Sequence, residues 1–182
     1  EFVGMDFPVT LDFVHEVQNE TLSLKLVVSP EKDKIDTLFK LLCNINSEAA
    51  LIFCNHRESA ERISSVLVSK GINCGYYHGG MDQDDRERVL IQFRTGSLNF
   101  LVTTDLGARG LDIPEMKHVI HYHLPAKDVD FTHRNGRTAR MNASGTAYIV
   151  IYKEEALPEY IPQGLDILQL KDGGPLPQQP EY

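Results

Sequence analysis

No apolar run in this 182-residue chain approaches the length of about eighteen residues that reads as a membrane-spanning helix, so no membrane partner is expected. Its opening lacks the pattern of a secretory signal. Cysteine is scarce: Cys43, Cys54 and Cys74 are odd in number, far apart and form no C-x-x-C pair. That argues against a disulfide framework and for reduced, buried thiols in a cytoplasmic-type compartment. No G-x-G-x-x-G follows any strand-like segment, which argues against a small dinucleotide-binding domain. Nor does a G-x-x-x-x-G-K-[ST] loop occur, so the chain carries no phosphate cradle of that kind.

Net positive charge is also missing. The formal charge is -8, which at first opposes a nucleic-acid partner. The distribution softens this. Residues 1–20 hold five acids and no Lys or Arg, and residues 154–182 hold six acids and one base, leaving 15 acids and 17 bases for residues 21–153, a net of +2. The body is near neutral with local basic sites, a balance that permits phosphate binding without demonstrating it.

What is present alternates. Strand-like segments at 23–29, 49–54, 72–79, 98–104, 116–125 and 145–152 are interleaved with helical patterns at 32–45, 57–71, 82–96 and 127–136. Such alternation predicts a parallel α/β sheet covered on both faces, and ligands in such sheets gather beyond the carboxyl ends of the strands. Asn55 and Arg57, His78 and Gly79, and Thr104 and Asp105 all fall just after strands. The start, EFVGMDFPVT, reads as a lead-in from a preceding domain over 1–22. The body is expected over 23–153, and the Pro/Gly/Gln-rich 154–182 reads as an extension or linker along the surface.

Four stretches carry candidate chemistry, and each also has a purely structural reading. In FCNHRESAER, Asn55, His56 and Arg57 sit at a strand-to-helix junction, where caps and exposed charges are common. HGGMDQDDRERV is a glycine turn entering a helix, whose N-terminus attracts anions, with Arg86 one turn in; Asp82 is the N-cap on the structural reading. TTDLGARGLDIP carries Gly107 and Gly110, which can present backbone N–H groups, a hydroxyl at Thr104, and acceptors at Asp105 and Asp112. HRNGRTAR places Arg134, Arg137 and Arg140 at three-residue intervals with no carboxylate among them. Their mutual repulsion calls for an anion. Pairing with Asp105, Asp112 or Asp130 would satisfy one or two of them. Gly136, read as a costly residue inside a helix, would permit close backbone approach. His118, His121 and His123 lack a partner at ligand spacing, so no metal site is expected and partly buried strand histidines are the reading.

Together, IFCN (52–55), HGGMDQDDR (78–86), TDLGARGLD (104–112) and HRNGRTAR (133–140) resemble, in order and with ordinary spacing, the second RecA-like domain of the DEAD-box RNA helicases of superfamily 2. The resemblance covers roughly residues 25–152 and implies a RecA-like three-layer α/β/α fold. It implies that Arg137 and Arg140 are arginine fingers on the γ-phosphate of ATP, and that Asp112 and Gly110 adjoin the nucleotide. Gly79, Arg86 and Thr104, with Asn55 and Arg57, would hold the RNA sugar-phosphate backbone. His133, Arg134 and Asp105 would organise the site and couple it to RNA. The implied partners are RNA, the N-terminal RecA-like domain of the same protein, and an accessory RNA-binding domain beyond the Pro/Gly-rich end. ATP and Mg2+ would serve the full-length protein, with neither bound to this portion alone. No DEAD tetrapeptide occurs here; DQDD (82–85) is no substitute. The resemblance therefore implies half of an ATP-dependent RNA helicase, inactive without the other half. Asn135 and Ala139 stand where the family often has Ile and Gly. A DNA helicase or translocase of the same superfamily, or a non-catalytic scaffold of the same fold, are the rival readings.

Overall fold

The computed structural model describes residues 22–45, 48–109, 116–138 and 145–170. Short runs of apolar and β-branched residues become the strands β1 (Leu22–Ser29), β2 (Ala50–Phe53), β3 (Cys74–Tyr77), β4 (Phe100–Thr103), β5 (His118–His121), β6 (Gly145–Tyr152) and β7 (Asp166–Ile167). Every residue of β2, β4 and β5 is buried, the pattern of strands covered on both faces. Between them lie α1 (Ile35–Ile45), α2 (Arg57–Ser69), α3 (Gln83–Arg94), the four-residue α4 (Asp105–Ala108) and α5 (Asp128–Asn135).

All described pairings are parallel, in the order β3-β4-β2-β5-β6-β1-β7. That order fixes the layers. From β1 to β2 to β3 the chain steps one way along the sheet; from β3 through β4 and β5 to β6 it steps back. Right-handed crossovers in opposite directions put their helices on opposite faces. Accordingly α1 (Leu38, Leu41, Leu42) and α2 (Ala60, Ile63, Leu67) share one apolar cluster with Val27, Ile52, Val102 and Val150. Phe93 of α3 packs on Leu51, Phe53, Leu101 and Val119, and Phe131 of α5 packs on Leu26, Ile149 and Ile151.

Helix α1 starts at Ile35, three residues later than the periodicity predicts, because the Asp33 carboxylate accepts the Ile35 N–H (3.3 Å). Helix α2 stops as expected at Gly71, which holds φ +91°. There Ile72 N–H reaches the Leu67 carbonyl (2.9 Å) and Gly71 N–H that of Val68 (3.0 Å), the bonding of a Schellman cap.

Of the two readings of the Pro/Gly-rich end, extension or linker, its described part has the packing of an extension. As far as Leu170 it is built into the domain. Asp166 and Ile167 pair with Lys25 and Leu26 as an edge strand, and Ile161 is buried with Phe131. The two residues of β7 carry too little pattern to announce a strand that β1 itself templates. The 1–22 lead-in is represented only by Leu22, and residues 171–182 lie outside the described residues.

Candidate functional site

Beyond β2 the chain leaves on one face and beyond β5 on the other, which opens a crevice at the carboxyl ends of these neighbours. Arg134 fills it. Only 1% of this residue is exposed. Its Nε and one Nη2 hydrogen form a fork onto Asp105 Oδ1 (2.6 Å) and Oδ2 (2.8 Å). The other Nη2 hydrogen goes to Asn55 Oδ1 (2.9 Å). Nη1 donates to the His123 carbonyl (2.6 Å) and to His121 Nδ1 (3.4 Å). All five guanidinium donors therefore have acceptors, and the guanidinium carbon lies 5.0 Å from the Phe53 ring centroid. One side chain ties together the loops after β2, β4 and β5.

The two histidines are matched to this charge. His121 accepts from Arg134 at Nδ1 and donates from Nε2 to Asn135 Oδ1 (2.8 Å), which requires its neutral form. Burial, reinforced by the Arg134 charge, pulls His121 down to about 3. Burial, with the charges of Lys34, His56 and Arg134, pulls His123 to about 4. His123 Nδ1 accepts the Asn55 N–H (3.1 Å).

The other predicted residues divide. Asn55 is spent internally: Oδ1 serves Arg134 and Nδ2 donates to the Leu124 carbonyl (3.1 Å). One Nδ2 hydrogen remains beyond these two bonds. Thr104 Oγ1 caps α4 by accepting the Gly107 N–H (3.0 Å), leaving only its hydroxyl hydrogen to donate outward. Gly107 thus does not present its N–H to a ligand. Its lack of a side chain instead lets α4 approach β3, since a Cβ there would lie 3.0 Å from the Tyr77 carbonyl and 3.1 Å from His78 Cα. Gly136 is not inside a helix; it is the exposed C-cap of α5 with ordinary φ -66°, and a Cβ there would meet only ordinary contacts. Asp82 occupies the N-cap of α3 but makes no side-chain capping bond.

Around the glycine turn, His78 Nδ1 accepts the Gly80 N–H (2.9 Å) and Nε2 bonds Glu61 (2.6 Å). A Cβ on Gly80 would lie 2.4 Å from Arg57 Nη1, so it is this glycine that makes room for Arg57, whereas Gly79 faces open space. Arg86 donates to the Tyr77 hydroxyl (3.1 Å) across the Tyr77 ring, and its Nε is buried without a partner. Arg137 lies at the rim of a cleft of about 100 Å³ with Asp105, Ala108, Asp130 and His133, and donates to the Ala108 carbonyl (2.8 Å). Gly110, Asp112 and Arg140 lie outside the described residues. Among the described residues no group of His, Cys, Asp and Glu is arranged to hold a metal.

The family profile described as "Helicase conserved C-terminal domain" matches residues 33–142. The chain is 37% identical over 154 residues to the DEAD-box ATP-dependent RNA helicase CshB of Bacillus subtilis, a match spanning 81% of this chain and 35% of that protein. It is 38% identical over 137 residues to eukaryotic initiation factor 4A of Cryptosporidium parvum, spanning 72% of this chain and 34% of that protein. This chain is a C-terminal RecA-like domain of the DEAD-box family. The fold agrees: Escherichia coli SrmB, a DEAD-box protein solved bound to regulator of ribonuclease activity A, superposes with a TM-score of 0.75 at 28% identity, covering 88% of this chain and 98% of that one. Saccharomyces cerevisiae Dbp5, solved with RNA and ADP BeF3, superposes with a TM-score of 0.69 at 28% identity, covering 81% of this chain and 40% of that one. The chain spans about a third of the length of the curated relatives it matches.

Within this DEAD-box domain, the sequence reading missed two features. One is the His78–Glu61 bond, which sets the glycine turn from a helix seventeen residues away. The other is the pairing of His121 with Asn135, which gives the departure from Ile at 135 a reason: a buried imidazole N–H needs an acceptor there. The Asn–His juxtaposition had no local signal.

Proposed function

We propose that the domain is the C-terminal half of an ATP-dependent RNA helicase. Arg137 and Arg140 reach the γ-phosphate of ATP when an N-terminal RecA-like domain carrying the nucleotide and Mg2+ closes on the rim, with Gly110 and Asp112 beside the nucleotide. ATP supplies the phosphoryl group whose transfer to water resets the clamp. The observation that supports this most is the division of labour within HRNGRTAR. Arg134 spends all five donors inside the domain, while Arg137, three residues on, sits at a cleft rim one helical cap away. Arg134 and Asp105 are positioning residues on this reading, and His133 lines the same rim.

RNA is held through its backbone by Arg57, Arg86, the Gly79 N–H, the Thr104 hydroxyl and the remaining Asn55 Nδ2 hydrogen. Such contacts carry no base readout. Closure bends one strand, and a short duplex loses pairing. The buried, unpaired thiols of Cys43, Cys54 and Cys74 support a reducing, cytoplasmic setting.

The test is Arg137→Ala in the full-length protein. RNA-stimulated ATP hydrolysis is expected to fall by about 10³-fold or more, as for other arginine fingers, with RNA affinity little changed. An unchanged rate would favour the non-catalytic scaffold instead. Comparing unwinding of RNA and DNA duplexes by the same protein separates the RNA helicase reading from its DNA rival.

A further inference from the structure

The chain after β6 lies beyond the segment that the family profile matches, yet it packs directly on the helix that carries Arg134 and leads to Arg137. Tyr160 is the point of contact. Its ring centroid lies 5.2 Å from that of Phe131 in α5. Its hydroxyl donates to the Pro125 carbonyl, in the loop that leads into α5. On the far side, the Phe131 ring lies 4.7 Å from His121. His121 in turn holds Asn135 (2.8 Å) and accepts from Arg134 (3.4 Å). Helix α5 is thus gripped before its start, at its middle and at its end. Burial raises the Tyr160 phenol above its ordinary value, so the hydroxyl remains a donor near neutral pH.

The grip is anchored. Ile161 is buried beside Phe131 on Leu26, Ile149 and Ile151, and β7 runs in register with β1, with Leu168 N–H on the Leu26 carbonyl (2.8 Å). Helix α5 needs such support. It has eight residues, too few to be stable by propensity, and Phe131 is its one buried apolar side chain.

We infer that Tyr160 is a positioning residue for Arg137: the extension fixes the axis of α5, and with it the place of the arginine just past the helix end. This rests on the proposed role of Arg137. A catalytic group must be held in place, since a misplacement of about 1 Å can cost 10²-fold.

The experiment compares Tyr160→Phe, Tyr160→Ala, Arg137→Ala and the Tyr160→Ala/Arg137→Ala double variant in the full-length protein. RNA-stimulated ATPase is followed under saturating and single-turnover conditions, with RNA affinity and thermal unfolding measured alongside. Tyr160→Ala is expected to lower kcat about tenfold or more with KM for RNA unchanged. Tyr160→Phe, which keeps the ring, should lose about threefold. In the Arg137→Ala background, Tyr160→Ala should cost nothing further, because the group it positions is gone. Wild-type rates in Tyr160→Phe, or an undiminished tenfold loss in the double variant, would overturn the inference while leaving the Arg137 reading intact. A wild-type rate in Arg137→Ala would overturn both. Should Tyr160→Ala fail to fold, Tyr160→Phe still decides.

Discussion

Burying a guanidinium is costly unless every donor finds an acceptor. Arg134 meets that condition with a bidentate carboxylate, a side-chain amide, a carbonyl and a neutral imidazole. Breaking the set from either end leaves an uncompensated charge. Arg134→Met or Asp105→Ala should therefore destabilise the domain by about 3–5 kcal/mol, read as a lower midpoint in urea. The glycines separate by their neighbours. Gly107→Ala pushes a methyl into the Tyr77 and His78 backbone and should cost about 1–3 kcal/mol. Gly79→Ala meets open space and should stay within about 0.5 kcal/mol. His121 gives a pH dependence. Its folded value, about 3, lies below the ordinary 6.5, so between these the unfolded chain binds more protons. Its contribution is complete above pH about 6.5 and is lost as pH falls towards 3, with a slope of up to about 1.4 kcal/mol per pH unit. Urea unfolding at pH 7.5 and pH 5 should show this, and His121→Asn should remove that part of the slope.

At the scale of elements, the short helices depend on what they lie against. Helix α4 has four residues and is capped at its first N–H groups by Thr104. Its carbonyl end holds Arg137 through Ala108. Helix α5 has two turns and leans on the extension beyond β6 through Phe131. Ile161, 4% exposed, is the apolar foot of that extension. Ile161→Ala should cost about 2–4 kcal/mol through lost burial and the cavity left behind. Calorimetry should show a lower Tm, with the mutated segment loosening first in hydrogen exchange.

For the molecule as a whole, the proposed function makes the rim half of a site. The domain by itself should hydrolyse no ATP above background, and adding the N-terminal RecA-like domain should bring activity back. Activity from the isolated domain would contradict the division of the site between two domains. RNA binding by the full-length protein should weaken steeply with salt, because backbone contacts release counterions. Arg57→Ala and Arg86→Ala should each lower the salt slope by about one and weaken all sequences alike. A sequence-dependent loss would point to base contacts instead.

Hydrophobic alternation is a local property, and it alone was enough to predict a parallel sheet covered on both faces. The same alternation placed Asn55, His78 and Thr104 just after strands and Arg134 in a short helix, where the structure has them. Which arginine is buried in the crevice and which lines the cleft was a tertiary decision. The acceptors of Arg134 come from Asn55, Asp105, His121 and His123, separated from it in sequence by 79, 29, 13 and 11 positions. Gly107 and Gly136 look alike as letters, but only one of them lies against another strand's backbone. The extension likewise becomes structure only because β1 offers it an edge and Phe131 offers it a ring. Periodicity sums over neighbours along the chain, whereas donor satisfaction and close packing sum over neighbours in space.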